Sequence, residues 1–141
     1  MNQPSQKPAP PLLILACSGA SNVGQLSNQA AVELTREGFG QMFCVAAIGA
    51  HLEKFVRYAR NVPSMAAIDG CSVGCIRAIL EHAGVPLQNY VVLTELGIEK
   101  NMNSNLEKAD IEKVKQAVRS GMKGGSVFPT LNPSDGGCCG S

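Results

Sequence analysis

No apolar run in this chain approaches the roughly 20 residues needed to span a bilayer, so a membrane-spanning helix is excluded. Neither sign of charge dominates. The 12 basic and 11 acidic residues are spread along the chain and leave a net charge of +1, without the electrostatic footprint expected for nucleic acid or an anionic membrane. The opening residues MNQPSQKPAPP lack the charged and continuously apolar regions of a secretory signal, and their four prolines oppose both helix and sheet. Residues 1–11 are therefore expected as a disordered lead, and the protein as soluble and cytoplasmic. In that reducing compartment the six cysteines are expected as thiolates or metal ligands rather than as a disulfide framework.

What is present is enough for one domain: 141 residues, 45% of them hydrophobic. Leu12–Ala16 is a short apolar run of the kind found in a strand buried on both faces, and Val23, Leu26, Ala30, Ala31 and Leu34 follow at helical spacing. Ser21 or Asn22 is the expected N-cap of that helix and Gly38 its stop. The unit then repeats. Strands are expected over Met42–Ile48, Met65–Ile68 and Tyr90–Thr94. Helices are expected from Leu52 to Ala59, from Val73 to Ala83 with Gly84 and Pro86 closing it, and through Ile111, Val114 and Val118 to about Gly121. This alternation predicts a small three-layer α/β/α domain over residues 12–121, with a mostly parallel sheet of about four strands. Residues 122–141 are rich in Gly, Pro and Ser and read as a flexible tail carrying the vicinal pair Cys138-Cys139, a candidate for thiol exchange or metal transfer.

In an open parallel sheet, sites form outside the C-terminal strand ends, where loops turn into helix N-termini with unpaired N–H groups. Cys17 follows the first strand, Cys71 the third, and Cys75 is expected one turn into the next helix, on the same face as Cys71. Taken singly, each is a small buried hydrophobe; together they converge on the functional edge. Cys44 falls inside the expected second strand, where packing is the plainer role, and reaches the edge only if that strand is short. His51, near the same edge, is the alternative fourth ligand, whereas His82 is expected on the surface. Four sulfurs, or three and a nitrogen, match tetrahedral zinc, but the paired C-x2-C knuckles of a zinc ribbon are missing, so spacing leaves metal and reactive thiol level.

Two phosphate readings of the first loop fail on single residues. Gly19 to Gly24 has the glycine spacing of a P-loop, but Gln25 and Leu26 replace its lysine and hydroxyl residue. The arginine that a cysteine phosphatase places six positions after its nucleophile is here Val23. What remains is a small-residue loop in which the backbone around Ser18, Gly19 and Asn22 can hold an anionic cofactor or activate Cys17, or simply turn the chain.

The stretches LACSGASNVGQLSNQAAVEL, FCVAAIGAH, AIDGCSVGC and VVLTELGIEKN together resemble the DGC-domain family, named for the triplet Asp69-Gly70-Cys71. The resemblance runs from about Leu12 to Ser120. It implies zinc binding through four characteristic cysteines, which map onto Cys17, Cys44, Cys71 and Cys75. Asp69 then either turns the chain or orients a ligand or acts as a base, and Thr94, Glu95 and Lys100 are second-rank candidates at the same edge.

The leading expectation is a zinc protein with one cysteine-ligated ion. The alternative is a thiol-based redox or sulfur-transfer enzyme using Cys17 or Cys71 as an activated thiolate, and a plainer third is an interaction module whose cysteines only pack. Expected partners are a metal ion, a small molecule or a redox partner protein.

Overall fold

Two central strands, β1 (Leu13–Ala16) and β3 (Met65–Asp69), send alternate side chains to opposite faces. Ile14, Ala66 and Ile68 pack on one side with Val23, Leu26, Leu34, Val114 and Val118. Leu13, Leu15, Met65 and Ala67 pack on the other with Ile48, Val56, Ile76 and Leu80. Both faces are dry, which is why these strands read as continuous apolar runs rather than alternating ones. The computed structural model describes residues 12–123. Within them β2 (Gln41–Met42) and β4 (Tyr90–Val92) complete a four-stranded, all-parallel sheet in the order β2-β1-β3-β4.

One face carries α1 (Asn22–Arg36) and α5 (Lys108–Lys123); the other carries α2 (Val45–Gly49), α3 (Glu53–Asn61) and α4 (Cys75–Ala83). The expected three-layer α/β/α arrangement is the observed one. Ser21 caps α1, its hydroxyl accepting from the Gly24 N–H at 3.3 Å, and Gly84 ends α4 in the left-handed conformation with φ of 67°. Across the first face the buried Lys115 ammonium of α5 donates to Glu33 at 3.3 Å and Glu37 at 2.5 Å, both on α1, and to Glu112 at 2.9 Å. Those carboxylates hold Lys115 above its ordinary pKa and fasten α5 to α1. Among the described residues no helix is long and apolar enough to cross a membrane.

Four elements differ from expectation. The second strand stops at Met42, and the apolar stretch expected to continue it to Ile48 is instead α2, with Ala47 and Ile48 buried and Ala46 and Gly49 exposed. A short apolar run suits a strand and a buried helical turn equally, and the alanines favour the helix. The fourth strand ends at Val92, where the buried Leu93 begins a 3-10 turn, Leu93–Leu96. The helix expected from Val73 begins only at Cys75, and Val73 is 71% exposed in the turn before α4. At the far end α5 continues to Lys123, past the expected boundary at Gly121. The expected lead over residues 1–11 and the Cys138-Cys139 pair lie outside the described residues.

Gly70 sits where β3 meets the first turn of α1. A Cβ there would fall 2.8 Å from the Val23 carbonyl carbon and 2.9 Å from the Gly24 nitrogen, both rigid backbone. Gly70→Ala should therefore overpack this contact and lower stability by roughly 1–3 kcal/mol. Urea unfolding would show it as a lower midpoint at unchanged slope, and an unshifted midpoint would mean that α1 moves away without cost.

Candidate functional site

The C-terminal edge of the sheet is formed by the ends of β2, β1 and β3, side by side. Cys17 directly follows β1, Cys44 lies just past β2 at the start of α2, Cys71 just past β3, and Cys75 is the first residue of α4. All four are free thiols; Cys17 and Cys71 are half-buried, Cys44 and Cys75 exposed. The short β2 thus carries Cys44 out of the mid-strand position expected for it and onto the edge.

Convergence on an edge is not the same as a closed site. Cys17 packs against the core beneath α2, α3 and α4, whereas Cys71 packs against the core beneath α1 and α5, so the two lean to opposite faces. Among the described residues no three His, Cys, Asp or Glu side chains are gathered so as to hold a metal ion. The thiols nonetheless sense one another. The Cys75 thiol lies above its ordinary value of 9.0, first because it is partly desolvated and then through Cys17, Asp69 and Cys71, whose negative charge opposes its ionisation. Around them stand two donors: the Gly19 N–H lies 3.4 Å from the Cys17 Sγ, and the Lys100 ammonium 3.4 Å from the Cys71 Sγ.

Asp69 is buried, and its carboxylate faces α4 rather than the thiols. It accepts from the Ile76 N–H at 2.9 Å, the Arg77 N–H at 3.1 Å and the Tyr90 hydroxyl at 2.6 Å. The reason is local. Gly74, in the N-cap position with φ of 69°, has no side chain to offer the open N–H groups of α4, so a carboxylate arriving from the strand end takes its place. Its negative charge also suits the positive end of the helix dipole. Cys71 and Gly74 close the intervening turn, the Gly74 N–H donating to the Cys71 carbonyl at 3.1 Å, so both ends of the Cys71–Cys75 loop are fixed.

The first loop is stitched by Gln25, whose side-chain amide donates to the Ser18 carbonyl at 3.3 Å and the Gly19 carbonyl at 2.9 Å. Ser18 and Gly19 are exposed. Asn22 is buried with its amide engaged: it donates to the Glu99 carbonyl at 2.8 Å and accepts from the Asn101 N–H at 2.7 Å. Asn22 thereby brackets Lys100 from both sides and sets it beside Cys71. His51 does not join the sulfurs. It pairs with His82, which lies on α4 about two turns beyond Cys75. Of the second-rank candidates, Thr94 donates its N–H to the Gly70 carbonyl at 3.3 Å, and Glu95 is exposed.

Tyr90 is the participant that the sequence reading missed. No capping rule reaches from a strand residue to a helix several positions later, or from there to a tyrosine on the next strand. Burial, and then the bond to Asp69, hold its phenol above the ordinary value of 10.0. A phenol whose folded pKa is raised contributes stability in full below its unfolded pKa and loses it as pH rises beyond that value. Tyr90→Phe should therefore be less stable than wild type near neutrality, by about 1.5–3 kcal/mol for a bond to a charged acceptor. The gap should narrow above the ordinary phenol pKa. Urea midpoints measured from pH 7 to pH 11 would show it, and a gap constant with pH would contradict the assignment.

The model of the DGC domain matches residues 13–118. The chain is also 36% identical over 110 residues to the Anaerobic and virulence modulator AnvM of Pseudomonas aeruginosa, covering 77% of this chain and 84% of that protein. No solved structure matches. With the triplet Asp69-Gly70-Cys71 at the turn from β3 to α4 and a family match from β1 into α5, this chain belongs to the DGC-domain family.

Proposed function

We propose that the chain is a zinc-binding regulatory protein in which Cys17, Cys44, Cys71 and Cys75 hold a single ion at the C-terminal edge of the sheet. The observation that carries this reading is the placement of four free thiols on one edge, Cys17 after β1, Cys44 after β2, and Cys71 and Cys75 on either side of the turn from β3 to α4. Thiolates that repel one another are stabilised together by a divalent cation, and a soft sulfur donor set suits zinc. Asp69, engaged at the start of α4, leaves the donor set to sulfur. The exposed Cys44 and Cys75 and the opposite leanings of Cys17 and Cys71 mean that closing around an ion requires the thiols to turn inward. Zinc would supply positive charge to hold thiolates without redox chemistry of its own. A site that closes on binding suits a sensor better than a rigid structural site, and the name of the AnvM protein, a modulator, supports a regulatory role over an enzymatic one.

Elemental analysis of protein purified without chelator should find close to one zinc per chain. Cys71→Ser and Cys75→Ser should each lose most of it while keeping the wild-type far-UV circular dichroism, because a hydroxyl is a poor zinc ligand. Cys44→Ser probes the fourth position. Folded wild-type protein that takes up no zinc would sink the proposal.

Lys100 favours a second reading, in which Cys71 acts as a thiolate in redox or sulfur-transfer chemistry. Its ammonium, 3.4 Å from the sulfur and held there by Asn22, provides a counter-charge for that thiolate. In metal-free protein, Lys100→Met should slow alkylation of Cys71 by iodoacetamide several-fold at pH 7. Mass spectrometry of the modified peptide would measure the rate, and equal rates would remove Lys100 from the chemistry.

A further inference from the structure

His51 and His82 meet away from the cysteine edge, in the turn between α2 and α3 and near the end of α4. The His51 Nε2 lies 3.0 Å from the His82 Nδ1, with ring centroids 5.0 Å apart and planes at 69°. The two nitrogens therefore face one another in an edge-on pair instead of the rings stacking face to face. We infer that this pair is a second metal site, taking one exchangeable divalent ion of the imidazole-preferring kind, zinc in particular.

The separation fits. Metal–nitrogen bonds of about 2.0–2.1 Å, set at angles between a right angle and a tetrahedral one, place two ligand nitrogens about 2.9–3.4 Å apart. The same separation allows a hydrogen bond in the metal-free pair. To bind an ion, the ring that donates this bond moves its N–H to its far nitrogen and the two exposed rings turn so that both lone pairs face the ion, so no charge need change.

The backbone is arranged for the meeting. His51 has φ of 56°, a left-handed conformation uncommon outside glycine. It is held there by the His51 N–H on the Ile48 carbonyl at 2.9 Å and the Leu52 N–H on the Ala47 carbonyl at 3.0 Å. These two bonds are the motif that ends α2, and they fix the backbone from which the His51 ring projects. From the other side, Arg60 of α3 donates to the Ala83 carbonyl at 2.6 Å and the Gly84 carbonyl at 3.2 Å, fixing the end of α4 that carries His82.

The surroundings are open. Both histidines line a cleft of about 640 Å³ together with Glu53, Glu81, Arg57 and Arg60. Arg60 is turned onto the carbonyls just described, and the two carboxylates offset the positive charge of the arginines. Among the described residues no third protein ligand is gathered with the pair, so water or a small anion completes the coordination. Two imidazoles and exchangeable water make a site that gains and loses its ion readily.

This site shares no residue with the cysteine centre, so the two can fail separately. The full chain, in a phosphine reductant, is titrated with Zn²⁺ against a chromophoric chelator. The wild type should show a weaker equivalent that His51→Asn and His82→Gln each weaken by about tenfold or more, since losing even an outer partner of a ligand costs that much. Asparagine tolerates the left-handed backbone at 51, and both positions are exposed, so the variants should fold. Cys71→Ser should retain this equivalent, and zinc should shift the imidazole ¹⁵N resonances of His51 and His82. Equal stoichiometry and affinity in the wild type and both histidine variants, or no weaker equivalent in the wild type, would overturn the inference. So would loss of the histidine-dependent equivalent in Cys71→Ser, which would return His51 to the cysteine centre.

Discussion

A single buried carboxylate organises the edge where the cysteines lie. Asp69 leaves the end of β3 and meets two N–H groups of α4 and the hydroxyl of Tyr90 on β4, so one anion joins three elements. Without it, the first turn of α4 would present open N–H groups to a partly dry interior, with only a glycine in the capping position. The position of Cys75, the first residue of that helix, follows directly from this cap. So does the turn from Cys71 to Gly74, because its far end is anchored by the same helix.

The Asp-Gly-Cys triplet acquires a physical meaning from this arrangement, because its three residues address three different neighbours. Asp69 turns to α4 and β4. Gly70 allows the first turn of α1 to approach within the space a side chain would occupy. Cys71 emerges at the edge beside Lys100. A larger residue in the middle would push α1 away, and α1 carries the Asn22 that brackets Lys100. Packing beneath the edge and charge above it are thus mechanically linked through one tight contact.

The helices α2 and α4 connect the two histidines to the cysteine edge. Each begins at a cysteine, Cys44 for α2 and Cys75 for α4, and the pair His51–His82 joins the turn after α2 to the last turn of α4. The helices also pack against one another over the same core. The two ends of this helix pair are therefore separated by short, regular elements rather than by a long loop, and they carry different side chains: thiols at one, imidazoles at the other.

Much of this was legible in the residues themselves. Leu13–Ala16 and Met65–Asp69 are apolar because both of their faces are covered, and helical spacing at Val23, Leu26, Ala30 and Leu34 marks a helix that must bury one stripe, so strand-helix alternation and a three-layer parallel sheet follow from local pattern. Parallel connection then puts Cys17, Cys71 and Cys75 at one edge, since each follows a strand and precedes or opens a helix. Pattern did not separate strand from helix over Val45–Gly49, where a short apolar run satisfies both, and so Cys44 was misplaced within a strand. Only the tertiary structure decided what each polar side chain touches: Asp69 the open N–H groups of α4, Asn22 the segment around Lys100, His51 the ring of His82. Secondary structure is set by contacts within a few residues, which the order of amino acids encodes directly; hydrogen bonds and ion pairs join residues tens of positions apart, and their choice of partner exists only once the layers have packed.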